Sequence, residues 1–209
     1  MVREMSLPST SHELQELFVL DASAIINFLA TGIAPRLLPL VGSAIAERRA
    51  FDEVRRHPVP DCDHEAELSQ LVTSGHLQIR DLDSVGREIF IELTADDIAG
   101  GLDDGEAATI AMALTNAQAA VPVLDDRKAI NLLTRRWPAR SWRQTISLLS
   151  DERVTSSIPT ADLAEAVFLM LIHARTRVPQ ASRRWVVELI GQERAEKCPS
   201  IGRLPQLLS

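Results

Sequence analysis

Short apolar runs alternate with amphipathic stretches along the chain, and this pattern predicts strands that alternate with helices. The apolar runs at 17–21 and 120–125 each end in acidic residues and have the length of buried strands. Residues 77–82 alternate like a strand, and 103–118 has the clearest helical spacing. Strands that alternate with helices are typical of an α/β fold with a mostly parallel sheet.

Further helices are predicted from apolar residues at helical spacing and, in several cases, from a glycine at the C-terminal end. They cover 23–32, 34–42, 64–75, 84–93, 126–137 and 144–150. The stretch 43–56 begins ambiguously and ends as a helix. Residues 139–144, ARSWRQ, are a candidate for a last short strand.

The pattern changes near residue 151, and this change sets the predicted domain organisation. Residues 160–175 and 181–197 have helical spacing, and no strand pattern lies between them. We therefore predict three parts: a flexible arm at 1–16, an α/β domain at 17–150, and a helical extension at 151–209 that packs on the domain.

The composition narrows the function classes. The chain has 209 residues, is 45% hydrophobic and carries a net charge of −7, so a packed core is expected but nucleic-acid binding by bulk charge is not. If the protein contacts nucleic acid, we expect it to do so through a small part of its surface or through bound cations. Lys128 and Lys197 are the only lysines beside 20 arginines. This bias fits either codon usage or phosphate recognition by guanidinium groups.

The chain has the features of a cytoplasmic protein without a membrane span. Cys62 and Cys198 form no CxxC motif, which favours a reduced compartment over a disulfide framework. No apolar run reaches the ~18 residues of a membrane helix, and the N-terminal residues lack the apolar segment of a signal peptide.

Four acidic positions fall at the predicted junctions between elements. Asp21 ends the first strand, and Asp126 begins the helix after the strand at 120–125. Glu106 lies in the first turn of the helix at 103–118, and Glu53 lies in the helical part of 43–56. Ligands of parallel sheets bind outside the carboxyl ends of the strands. Asp21 and Asp126 can therefore converge, although 105 residues separate them.

Helix capping is the alternative explanation for these acids. Asp103 and Glu106 have the spacing of a capping box, and Asp21 and Asp126 precede helices. Glu53 fits a solvated surface charge equally well. Capping accounts for one acid per helix, however, and not for the clusters LDDGE and LDDR.

Clustered carboxylates repel one another unless a cation lies among them. Mg²⁺ and Mn²⁺ take oxygen ligands of this kind. Two such ions about 3.5–4 Å apart can activate water for phosphodiester hydrolysis. The clusters therefore indicate a Mg²⁺ or Mn²⁺ site at one edge of the sheet, through which an acidic protein could hold an acidic substrate.

Four segments, in chain order, resemble a PIN domain of the kind found in bacterial VapC-like toxins and their uncharacterised relatives. They are VLDASAIINFLATG, FDEVRR, LDDGEAATIAMAL and VLDDRKAINLL, and QTISLL at 144–149 resembles the segment that often closes the core. The resemblance covers roughly 17–150. It implies an α/β/α sandwich with a mostly parallel sheet, Mg²⁺- or Mn²⁺-dependent cleavage of RNA, frequent homodimers and often a partner antitoxin.

The resemblance also implies roles for individual residues. The catalytic acids are Asp21, Glu53, Glu106 and Asp126. Of these, Asp21, Glu106 and Asp126 are expected to bind the metal, with Asp104 and Asp125 as further candidates. Ser23 and Asn27 are expected to support the metal ligands.

Some of these assignments stay open. Glu47 is an alternative to Glu53, because AERRAFDEV can be aligned in two ways, and Glu53 is preferred. Asp103 and Asp104 could supplement or replace Glu106. Leu124 stands where many members have Thr or Ser two residues before the last acid.

Arginines that alternate with tryptophans follow the helix at 126–137. Arginine interleaved with aromatic residues suits single-stranded RNA, and a solvated arginine face over buried tryptophans is an equal alternative. The residues concerned are Arg135, Arg136, Arg140 and Arg143, with Trp137 and Trp142.

Three further possibilities are weaker. His57, Cys62 and His64 could bind zinc, but their spacing fits no standard pattern and a polar loop is favoured. A PIN-like domain without catalysis could act as a scaffold. A phosphatase of the haloacid dehalogenase type also begins with a strand-terminal acid, but it needs a second acid where Ser23 stands.

Overall fold

A computed structural model describes residues 16–56, 64–95, 101–116 and 120–201. Apart from Glu16, the predicted N-terminal arm lies outside these residues, and so do His57 and Cys62 of the candidate zinc site. None of the described helices has both the length and the apolar character that a membrane span requires.

The described strands form one parallel sheet. They are β1 (Leu17–Leu20), β2 (Ser43–Glu47), β3 (Leu77–Arg80) and β4 (Val121–Val123). Their order in the sheet is β3-β2-β1-β4, so β1 lies between β2 and β4. All carboxyl ends of the strands therefore lie at the same edge, as the sequence predicts.

Helices connect the strands and continue beyond the last one. Those of the α/β part are α1 (Ala22–Leu29), α2 (Ala34–Val41), α3 (Arg48–Arg56), α4 (His64–Thr73), α5 (Ser84–Thr94), α6 (Asp104–Thr115), α7 (Arg127–Arg136) and α8 (Thr145–Leu149). The C-terminal extension adds α9 (Glu152–Ser157), α10 (Thr160–His173), α11 (Gln180–Ile190) and α12 (Gln192–Glu196). The predicted α/β fold with a helical extension is confirmed.

Two predicted elements differ in detail. The candidate strand at 139–144 is reduced to a bridge between Arg143 and Val123, since residues 138 and 139 form a turn and α8 begins at Thr145. The helix expected over 181–197 is interrupted at Gly191, whose φ of 84° is incompatible with a continuous helix.

Both faces of the sheet are covered by helices, as expected of an α/β/α sandwich. Phe18 and Leu20 of β1 are buried in a core that they share with α1, α2 and the extension. Leu17 and Val19 are buried on the other face, against α6. Alternate side chains of β1 thus enter different cores, which explains why this strand is apolar throughout.

The extension shares the larger core. Met170 of α10 and Val186 of α11 are fully buried in the same cluster as Phe28 of α1. Complete burial of each such side chain contributes about 1.5–3 kcal/mol. The extension is therefore held to the α/β part by apolar packing.

Gly42 joins α2 to β2, and we predict that it cannot be replaced without loss of stability. Its φ is +152°, and a Cβ added there would lie 2.6 Å from the carbonyl oxygen of Glu16 and 3.1 Å from the Phe18 ring. Gly42→Ala should lower the free energy of unfolding by about 2–4 kcal/mol in urea denaturation followed by circular dichroism.

Gly75→Ala is the matched control. Gly75 has a φ of +76°, but a Cβ there would meet nothing within 4 Å. We expect this variant to lower the free energy of unfolding by only about 1 kcal/mol, the cost of a positive φ for alanine. Equal losses in the two variants would contradict the contact with Glu16.

Candidate active site

Six carboxylates line one cleft at the carboxyl edge of the sheet. The cleft has a volume of about 370 Å³. Its acidic residues are Asp21, Glu53, Asp103, Glu106, Asp125 and Asp126. They come from four separate segments of the chain, so the tertiary fold brings them together.

Capping and cleft formation involve the same side chains. Asp21 caps α1, and its Oδ2 accepts hydrogen bonds from Ser23 Oγ at 2.7 Å and Ser23 N at 3.3 Å. Asp126 caps α7, and its Oδ1 accepts from Lys128 N at 2.6 Å. A helix that starts at the carboxyl end of a strand must place its N-cap at this edge, so the two explanations do not exclude each other.

The N-terminus of α6 contributes further acids to the cleft, beside those at the N-termini of α1 and α7. Asp103 caps this helix by accepting a hydrogen bond from Glu106 N at 2.8 Å. Glu106 is buried, whereas Asp104 is exposed and is not among the residues that line the cleft. Asp103 and Glu106 therefore reach the cleft, and Asp104 does not.

Gly105 allows these acids to approach the helix backbone. A Cβ added at Gly105 would lie 2.9 Å from Glu53 Oε2 and 3.5 Å from both Asp103 Oδ1 and Asp21 Oδ1. Three carboxylates thus converge on the space that a larger residue would occupy.

Glu53 on α3 and Glu47 at the end of β2 are the two candidates for one of the catalytic acids, and their surroundings differ. Glu53 lines the cleft. Glu47 is 1% exposed, and its carboxylate accepts hydrogen bonds from Arg49 N at 2.6 Å and Arg49 Nη1 at 2.7 Å. The geometry favours Glu53 as the cleft residue and gives Glu47 a structural ion pair.

Asp125 is the centre of a buried polar network. Its Oδ2 accepts from Thr145 Oγ1 at 2.6 Å and from Asn27 Nδ2 at 2.7 Å, and its Oδ1 accepts from Thr145 N at 3.0 Å. Asn27 Oδ1 in turn accepts from Thr176 Oγ1 at 2.5 Å. Asn27 therefore supports Asp125, while Ser23 supports Asp21.

Sequence reasoning did not select Thr145 or Thr176. Thr145 belongs to the QTISLL segment, so a signal was present, but nothing in it showed which acid the hydroxyl reaches. Thr176 lies in the extension and carries no motif. Leu124, where a hydroxyl was expected, is buried and apolar, and Thr145 provides a hydroxyl to the adjacent acid instead.

Burial makes three carboxylates of the cleft hard to ionise, and for Asp21 and Glu106 the charges of neighbouring acids add to this effect. Burial, with smaller contributions from Asp103 and Glu53, raises the pKa of Asp21 to about 7, against the hydrogen bond from Ser23. Burial, and then the charges of Asp103, Asp21 and Asp126, raise the pKa of Glu106 to about 8. Burial also raises the pKa of Asp125, despite its bonds from Thr145 and Asn27.

This donor set fits a divalent cation. All of the acidic groups offer carboxylate oxygens, which Mg²⁺ and Mn²⁺ prefer. A cation would favour the ionised carboxylates, which burial and, less strongly, mutual repulsion disfavour. Within the described ranges, no group of three or more acidic, histidine or cysteine side chains is arranged so that it could hold a metal ion as the structure stands.

Basic residues near the cleft differ from those the sequence suggested. Arg135 lines a groove next to the cleft, and Arg136, Arg140 and Arg143 are not among the residues that line either cavity. Arg175 and Arg177, which sequence reasoning missed, line the cleft from the extension. They lie in a loop without a motif, and only the fold brings this loop to the acids.

A parallel α/β/α sandwich with an acidic cleft at the carboxyl edge of its sheet defines the class of this protein. A family model described as a PIN domain matches residues 17–184. The chain belongs to the PIN domain family. PIN domains are generally nucleases, and these nucleases generally use divalent metals. No curated protein matches the chain in sequence.

The raised pKa values predict how stability depends on pH in metal-free buffer. The folded state holds protons on Asp21 and Glu106 at a pH where the unfolded chain has lost them. Stability should therefore fall as the pH rises from about 4, the unfolded pKa, to about 8. Asp21→Asn should be more stable relative to the parent at pH 8 than at pH 5. We expect the difference in the free energy of unfolding between variant and parent to change by about 1–2 kcal/mol between these two pH values.

Urea denaturation in EDTA at the two pH values measures this difference. Asp162→Asn, which changes an exposed acid paired with Arg36, is the control and should leave the pH dependence of the parent. An Asp21→Asn variant with an unchanged pH dependence would show that Asp21 is not a strained carboxylate.

Proposed function

We propose that the protein is a divalent-metal-dependent endoribonuclease of the toxin type, which hydrolyses phosphodiester bonds in RNA. The observation that carries the proposal is the convergence of six carboxylates on one cleft in a member of the PIN domain family. The raised pKa values of Asp21 and Glu106 support it, because burying mutually repelling acids has a cost that a bound cation offsets.

Asp21, Glu106 and Asp126 would hold Mg²⁺ or Mn²⁺, with Asp125 as a further ligand. When bound, the cation neutralises charge on the phosphate and makes a water molecule more acidic. Ser23 keeps the Asp21 carboxylate in one orientation through its hydrogen bond of 2.7 Å. Thr145 and Asn27 do the same for Asp125.

Glu53 is the group we assign to the attacking water, as its proton acceptor. The water oxygen attacks phosphorus, the bond from phosphorus to the 3′ oxygen breaks, and that oxygen takes up a proton. The products are a 5′-phosphate and a 3′-hydroxyl. Gly105 supports this assignment because it leaves Glu53 and Asp21 room to approach the same point.

The resemblance to VapC-like toxins extends the proposal to partners and location. It supports a cytoplasmic protein that forms a homodimer and is inhibited by a cognate antitoxin. A neighbouring reading frame that encodes a small DNA-binding protein would support the antitoxin.

Loss of a carboxylate should abolish cleavage. Asp21→Asn and Glu106→Gln keep the size of each side chain but remove an anionic oxygen ligand. We expect each to reduce kcat for a single-stranded RNA in Mn²⁺ by about 100-fold or more. Cleavage is measured by the appearance of 5′-phosphorylated fragments on a denaturing gel.

Asp104→Asn is the matched control, because Asp104 is in the same helical turn but outside the cleft. It should retain the activity of the parent. An Asp21→Asn, Asp126→Asn double variant that cleaves as well as the parent would show that the site is misassigned. A folded parent that cleaves no RNA would favour the scaffold alternative.

Metal binding can be measured without activity. At 100 times its Kd, Mn²⁺ should stabilise the parent by about 2.7 kcal/mol, which raises Tm by about 5–10 °C for a chain of this size. The double variant should show little of this rise, and Asp104→Asn should show all of it. Equal shifts in all three proteins would place the ion elsewhere.

A further inference from the structure

A loop of the extension crosses the acidic cleft between α10 and α11. Exposure alternates along it: Arg175 and Arg177 are exposed, whereas Thr176 and Val178 are buried. The two arginines are thus exposed residues of this loop, and Arg175, Thr176 and Arg177 all line the cleft.

The loop is fixed to the core at both buried positions. Thr176 Oγ1 donates to Asn27 Oδ1 at 2.5 Å, which ties the loop to the network around Asp125. Val178 is 3% exposed and belongs to the larger apolar core. The backbone at Arg175 has a φ of 52°, which non-glycine residues adopt at a cost and which concentrates at functional sites.

A second cavity continues from the cleft. This groove, of about 530 Å³, is lined by Arg127 and Arg135 of α7 and by Arg177 of the loop. Asp126 and Arg177 line both cavities, so the groove opens beside the carboxylates. Lys128 also lines the groove, but its Nζ donates to the carbonyl of Gly101.

The three arginines of the groove are available to a ligand. Within the described part of the chain, Arg127, Arg135 and Arg177 form no ion pair, although acids outnumber basic residues by 29 to 22. Some other exposed arginines are paired, such as Arg184 with Glu188 at 2.7 Å. Unpaired guanidinium groups from two elements along one groove are suited to a polyanion.

We propose that Arg127, Arg135 and Arg177 form an arginine track that binds the backbone phosphates of single-stranded RNA on one side of the bond to be cleaved. The inference rests on the proposed ribonuclease function, because it takes the acidic cleft as the place of the scissile phosphate. Arg177 lies where cleft and groove meet, so it contacts the phosphate nearest to the carboxylates. A positively charged groove that follows the backbone is how single strands are held without sequence readout.

Binding of a fluorescently labelled oligouridylate, followed by anisotropy, tests the track. The measurements use the full chain with Asp21→Asn, in EDTA and over a range of salt concentrations, so that cleavage does not interfere. Adding Arg177→Gln or Arg135→Gln should weaken binding about tenfold and reduce the slope of log K against log salt by about 0.7, the value for one phosphate contact on a single strand.

Two further variants separate charge from structure. Arg184→Gln removes the same charge from an exposed site on α11 and should change neither affinity nor slope. Arg177→Lys keeps the charge but not the paired hydrogen bonds, so it should keep the slope and lose only part of the affinity. In active protein, Arg177→Gln should raise KM for RNA and leave kcat within about twofold, since the lost contact is equally present before and during the reaction.

Each outcome decides between the two proposals. If the arginine variants bind as the Asp21→Asn parent does, or if that parent binds no oligouridylate at low salt, the track is wrong, whether or not the wild type cleaves RNA. If the variants lose binding as expected but the wild type cleaves no RNA in Mn²⁺, the track stands and the ribonuclease function is wrong. Loss of the same size in Arg184→Gln would also overturn the track.

Discussion

Burial of several carboxylates in one cleft is the constraint on which the site depends. Asp21 and Glu106 are buried, and their pKa values of about 7 and 8 show how strongly burial and neighbouring acids oppose their ionisation. A fold that only had to be stable would separate such groups or pair them with bases, as it does for Glu47 and Arg49. Here the scaffold holds them together without such pairing, a cost that a bound cation would offset.

The scaffold holds the acids with ordinary elements of an α/β fold. The parallel sheet directs every strand towards one edge, and helix N-caps place Asp21 and Asp126 there. Hydrogen bonds from Ser23 and Thr145 fix the orientation of the carboxylates without neutralising them. The same acids thus stabilise helices and form the cleft, so capping alone is an incomplete account of them.

The extension is part of the site as well as of the core. Thr176 joins it to the network of Asp125 and Asn27, and Arg175 and Arg177 line the cleft. The family match also runs past residue 150 and through α10. The proposed RNA path uses this arrangement, in which carboxylates and guanidinium groups occupy adjoining cavities.

The sequence by itself determined the fold class, because apolar periodicity and strand-terminal acids are local features. It also predicted that Asp21 and Asp126 lie together, since the carboxyl ends of parallel strands share an edge. Glu53 and Glu106 were indicated by the resemblance to PIN domains. Only the tertiary structure showed that Glu53 lines the cleft whereas Glu47 bonds to Arg49, left Asp104 outside the cleft, and brought Thr176 and Arg177 to it. These outcomes depend on contacts between residues far apart in the chain, up to the 149 positions between Asn27 and Thr176, and local patterns carry no information about such contacts.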